Sequence, residues 1–175
     1  MVEQNLGERR KMSIFPTRIL LATDSSDEAS LASEAAVDIA QMSNSKLHVV
    51  HVGPFADYIA AGTPLITDVH THYQEEISKA TQNLLDAEVQ QIRDAGLEVE
   101  QAYLRVGKPE EEITNLAEEI GAGLIIIGSR GRGGIRRALM GSVSDSVVRH
   151  AHCPVLVVRH LGRVEPSESP PKSPD

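Results

Sequence analysis

The stretch "GLIIIGSRGRGGIRRALMGS", residues 123–142, decides how this chain is read. It opens on a short apolar run, Leu124, Ile125, Ile126 and Ile127, and closes on Gly141-Ser142. Helical spacing follows at Val143, Val147, Val148 and Ala151. From Gly128 to Ser142 there are five glycines, four arginines and no acid, in a chain of formal net charge −8. A continuous apolar run of this length predicts a strand covered on both faces, as in a parallel sheet. A glycine-rich connection from such a strand into a helix predicts an anion site. Glycine leaves the backbone approachable, and the free N–H groups and dipole of a helix N-terminus favour negative charge.

The same alternation runs through residues 17–160. Apolar runs at 18–23, 46–52, 98–104, 123–129 and 154–160 predict five strands, with 98–104 nearer an edge because its polar residues alternate. Four helical stripes separate them: Ala29, Ala32, Ala36, Ile39 and Ala40; Ile77, Ala80, Leu84, Leu85, Val89 and Ile92; Ile113, Leu116, Ala117 and Ile120; and the stripe beginning at Val143. Ser25 or Ser26 is placed to cap the first helix, Gly96 to stop the second and Pro109 to open the third. Strand–helix alternation with right-handed crossovers predicts an α/β fold. Its form is a five-stranded parallel sheet, doubly wound, a Rossmann-like three-layer α/β/α sandwich.

Composition sets the bounds. Of 175 residues, 41% are hydrophobic, only 3% are aromatic and none is Trp, so the core must be aliphatic. Cys153 is the single cysteine, which rules out an internal disulfide and fits a reducing compartment. The acidic balance argues against nucleic acid and anionic membranes as partners. No apolar run approaches the roughly 18 residues needed to span a bilayer, and the N-terminus has no apolar signal core. The expected location is cytoplasmic. Residues 1–16 are expected to be a flexible leader. Residues 161–175, with four prolines and three serines, are expected to be a disordered tail. The long connection 53–67 reads as a lid or a partner contact.

Two strand ends carry ligand-like chemistry. "ATDSS" leaves the first strand; Asp24 there reads either as a helix cap or as an acceptor for vicinal hydroxyls, as acids serve ribose. Gly128, Gly131, Gly141 and Ser142 leave the fourth. The connection is not a P-loop, lacking the required Lys, and Arg136 stands where a dinucleotide fingerprint needs Gly. A metal reading of His70, His72, His150, His152 and Cys153 lacks three or four convergent ligands, so no metal site is assigned. His48 and His51 read as core or cap residues, and Cys153 as a small buried hydrophobe. With no G-x-S-x-G elbow and no evident general base, no catalytic residue is assigned.

Taken together, "RILLATDSSDEA", Gly128-x2-Gly131-x9-Gly141-Ser142 and the closing "GSVSDSVVRHAHCPVLVVR" resemble the universal stress protein family over roughly residues 16–160. The resemblance implies a homodimer formed through the last strand, 154–159. The complete glycine motif implies the ATP-binding branch, with ATP and Mg²⁺ as the expected cofactors. Carried over residue by residue, Ala22 and Val52 would lie along the adenine and Asp24 would hold the ribose. Ile127, Gly128, Gly131, Gly141, Ser142 and Val143 would line the ribose and phosphates, and Thr23, Arg130 and Ser144 complete the expected nucleotide-binding set. Among Arg130, Arg132, Arg136 and Arg137, either one or two reach the terminal phosphate or all are solvated. The implied role is stress response or signalling through nucleotide occupancy, with at most weak ATPase activity and a protein partner left open. The alternatives are a slow ATP hydrolase or adenylyl-transferring enzyme, and a sensor of AMP or cyclic AMP.

Overall fold

The computed structural model describes residues 14–54, 67–131 and 140–159, without side chains for 54 and 67–78. The expectations for the N-terminal leader, the C-terminal tail, most of the 53–67 connection and Arg132, Arg136 and Arg137 lie outside the described residues, and those for His70 and His72 concern side chains outside them.

The elements run β1 (Arg18–Thr23), α1 (Asp27–Ser43), β2 (Lys46–Pro54), α2 (Thr67–Asp94), β3 (Val99–Gly107), α3 (Pro109–Ile120), β4 (Leu124–Gly128), α4 (Ser142–His150) and β5 (Val155–Val158). The five strands form one sheet in the order β3-β2-β1-β4-β5, every pair parallel. The chain winds outward from β1 to β3, then returns to lay β4 on the other side of β1. The strand order therefore reverses between β1 and β4, where open α/β sheets hold ligands at their carboxyl ends.

Alternating side chains supply two cores. Ile19, Leu21, Leu47, Val49 and Ile126 pack under α1 and α2. Leu20, Ala22, Val50, Ile125 and Ile127 pack under α3 and α4. The caps follow local chemistry. Ser26 Oγ accepts the Ala29 N–H at 3.2 Å, with Asp27 and Glu28 in the first turn of α1. Asn44 and Gly121 close α1 and α3 in the left-handed conformation, and Gly96, at φ 85°, follows α2.

Several details depart from the sequence-based expectations. β2 and β3 run further than predicted because they pair with each other as far as Pro54 and Gly107, beyond the end of β1 at Thr23. β5 is apolar yet only half-buried throughout, because it is an edge strand paired to β4 alone. Val148 is 45% exposed, on the outer side of α4, so it leaves the predicted stripe. Ala80 is likewise exposed. Cys153 is half-buried and borders the α3/α4 core; burial raises its thiol pKa, which suits an unreactive thiol. No helix among the described residues is long and apolar enough to cross a membrane.

Candidate functional site

At the reversal point, the carboxyl ends of β1, β2 and β4 open into a cavity of about 510 Å³ on the α3/α4 side of the sheet. That volume lies within the range typical of small-molecule sites, ~300–1,000 Å³. Ala22, Val50, Val52 and Ile127 form its floor, and Pro109 and Ile113 of α3 form an apolar wall. Asp24, Arg130 and Gly131 stand where the two strand ends meet, and Gly141, Ser142 and Val143 stand at the start of α4. All twelve residues singled out from the sequence line this one cavity.

The start of α4 is a donor surface. Gly141 is its N-cap, not Ser142, and no side chain caps it. Gly141 O accepts the Asp145 N–H at 2.9 Å, the first bond of the helix. The N–H groups of Ser142, Val143 and Ser144 therefore have no acceptor within the helix. The first of these residues is exposed, and no acid precedes Asp145 in the turn.

The two strand ends are fastened to each other. Ser26 Oγ donates to Arg130 O at 3.4 Å, and Arg130 Nη1 lies 4.0 Å from Glu28 Oε1. Both side chains of that ion pair are about one-fifth exposed, so Arg130 is tethered at the mouth, not freely solvated. Ser26, not Asp24, caps α1; Asp24 braces the turn before it, its Oδ1 accepting the Ser26 N–H at 3.1 Å, and it faces the cavity.

The glycines have a second physical reason. A Cβ on Gly128 would stand 2.9 Å from Glu28 C and 3.0 Å from Ala29 N, so this glycine lets α1 approach β4 closely. A Cβ on Gly141 would stand 3.2 Å from Ser129 O. A Cβ on Gly131 would land on the Asp24 carboxylate. Ligand clearance alone, the reason expected from the sequence, is therefore incomplete: the protein's own packing also demands these residues.

Two hydroxyls expected at a ligand are committed to the protein. Ser144, 2% exposed, donates to Ser129 O at 2.9 Å with Gly141 O at 3.1 Å, and Gly141 N–H donates to the same Ser129 O at 2.7 Å. Thr23 Oγ1 donates to the buried Glu88 Oε2 at 3.3 Å. These residues shape the site through their backbones. Among the described residues no group of three or more His, Cys, Asp and Glu is placed to hold a metal ion. His150 and His152 turn to carbonyls instead, Ser146 O at 2.8 Å and Ala122 O at 3.0 Å.

Sequence reasoning missed Ala29, Val50, Pro109, Ile113 and Met140 as lining residues. Period-two alternation from Val52 could have supplied Val50; Pro109 and Ile113 reach the cavity only because α3 packs across β2. The arrangement can take a flat apolar group on the floor, a polar hydroxylated group at Asp24 and an anion on the α4 amides.

A family model described as the universal stress protein family matches residues 16–159. The chain belongs to this family. It is 34% identical over 146 residues to the universal stress protein YxiE of Bacillus subtilis, covering 81% of this chain and 98% of that one. It superimposes on the universal stress protein UspA from Lactobacillus plantarum with a TM-score of 0.71, at 27% identity, covering 83% of this chain and 99% of that one. Two solved universal stress proteins carry adenine nucleotides. One is in complex with cAMP (25% identity, TM-score 0.57, 83% of this chain and 98% of that one). The other, from Archaeoglobus fulgidus, is in complex with dAMP (27% identity, TM-score 0.53, 83% and 99%).

Proposed function

We propose that this universal stress protein binds ATP, with Mg²⁺ carried on the phosphates, and acts in stress response by occupancy of the site in a cytoplasmic homodimer. The observation that carries the reading is the pairing of an apolar floor with the amides at the start of α4 that have no acceptor within the helix, joined by Asp24. Adenine suits the slot between Val52 and the Pro109–Ile113 wall. Asp24 accepts from the ribose hydroxyls. The phosphates lie toward Gly131, Gly141 and the α4 amides, with Arg130 close by. Hydrogen bonds to charged groups contribute about 1.5–3 kcal/mol each, so a few amides support micromolar binding after association costs. Mg²⁺, when bound, would neutralise phosphate charge.

The half-buried apolar edge of β5 supports dimer formation through strand pairing with a second copy. A second reading is an AMP or cyclic AMP sensor, favoured by the cAMP and dAMP complexes of related proteins. Calorimetry on ligand-stripped protein separates the two. The expected result is micromolar binding of Mg-ATP, weakened about tenfold in Asp24→Asn, which keeps an acceptor for Ser26 but loses the charge. Tighter binding of AMP or cyclic AMP selects the second reading; no heat with any adenosine compound at millimolar dose rejects both.

A further inference from the structure

We infer that Glu88, buried on the far side of the sheet from the cavity, is a positioning residue for Asp24. The inference rests on the nucleotide reading above. Along α2, Leu85, Val89 and Ile92 are buried in the α1/α2 core, and Glu88 shares their face at 5% exposure. One carboxylate oxygen, Oε2, takes the Thr23 hydroxyl at 3.3 Å; the other, Oε1, is buried with no hydrogen-bond partner among the described residues. A carboxylate placed in an apolar stripe and half satisfied weakens the fold. Core stability therefore does not explain it, and an apolar residue of the same size would serve the packing better.

What the acid does is fix Thr23. The Thr23 hydroxyl has one hydrogen, and Glu88 Oε2 receives it. The oxygen lone pair is then turned toward the Ser25 N–H, which donates to it at 3.3 Å. Ser25 sits at φ 60°, a left-handed conformation uncommon for a residue with a side chain, so the turn needs an outside hold. Asp24 lies between Thr23 and Ser25, and its Oδ1 meets the next amide, Ser26, at 3.1 Å. Glu88 to Thr23 to Ser25 is thus one relay of hydrogen bonds that leads from α2 to the turn after β1 and holds the residue whose carboxylate faces the cavity.

The test uses the full chain with Mg-ATP and Mg-2′-deoxy-ATP, since Asp24 acts on the ribose. Glu88→Leu removes the acceptor and the half-satisfied buried carboxyl group. Its expected effect is about a tenfold loss in ATP affinity with the ATP-over-deoxy-ATP preference collapsing toward one, while the melting temperature holds or rises. Glu88→Gln keeps an acceptor and should bind within about twofold of wild type. Thr23→Val should mimic Glu88→Leu, and the double variant should be no worse than either single one. Hydrogen exchange at the Ser25 and Ser26 amides should quicken in Glu88→Leu, a readout independent of any ligand.

Parallel loss of ATP and deoxy-ATP binding with a lower melting temperature would assign Glu88 a merely structural role and overturn the inference. So would wild-type affinity and preference in Glu88→Leu, or its failure to fold. Wild-type protein that binds neither nucleotide rejects the nucleotide reading itself, which distinguishes that failure from this one.

Discussion

The two faces of the sheet are made from the same strands and end differently. On one face α1 spans 17 residues and α2 spans 28, and together they cover Ile19, Leu21, Val49 and Ile126. On the other face α3 spans 12 residues and α4 only nine. Among the described residues the shorter helices leave the carboxyl ends of β1, β2 and β4 uncovered, and the cavity occupies that gap. The lesson is that a site here is a core left unfinished: Ala22 and Val50 would be ordinary core residues if α4 began a turn earlier. The closed face is not wholly apolar either, since it carries the polar relay from Glu88.

The contrast can be broken by substitution, starting with the largest effect. Ile126→Ala, at a fully buried position of the closed face, should cost about 2–5 kcal/mol in urea unfolding while ATP affinity in the folded protein stays unchanged. A matching loss of affinity would mean that the faces are not separable. Gly128→Ala drives a Cβ into the α1 backbone, and chemical denaturation should register a loss of about 1–3 kcal/mol.

Ala22→Leu fills the floor of the open face. Calorimetry should show at least a tenfold loss in affinity, about 1.4 kcal/mol, with stability altered by less than that. Equal losses in binding and stability would show that the floor is core after all.

The smallest expected effect is a pH dependence. His48, 5% exposed and stacked on Tyr103 at 6.0 Å, has its pKa lowered chiefly by burial, with Glu100 opposing. The unfolded imidazole then takes up a proton first. Its neutral burial contributes fully above about pH 6.5, and the contribution is lost as pH falls below that value. Melting temperature should drop from pH 7 to pH 5, and His48→Phe should remove part of the slope. An unchanged slope would exclude His48 as a source.

Much of this was legible from residue pattern. Dense apolar runs and helical stripes marked every strand and helix, because parallel strands buried on both faces need apolar residues at nearly every position. The weak alternation of β3 correctly marked an edge, whereas the dense apolar run of β5 pointed to cover on both faces and the strand is only half-buried at Val155, Leu156, Val157 and Val158. The glycines were legible as special but not why: Gly128 answers to α1 and Gly131 to Asp24, contacts between segments about a hundred residues apart. Glu88 escaped notice because its acidity suggests solvent, although its spacing from Leu85 and Ile92 fits the buried stripe.

The sequence by itself determined the α/β class, the order of elements and the family, and it named the residues that would gather at one place. These follow from local periodicity and from which residues tolerate which backbone. Only the tertiary structure decided which hydroxyls remain available to a ligand, which face stays open and where a carboxyl group is buried. Those depend on distances across the sheet, and distances between remote segments exist only once the chain has packed.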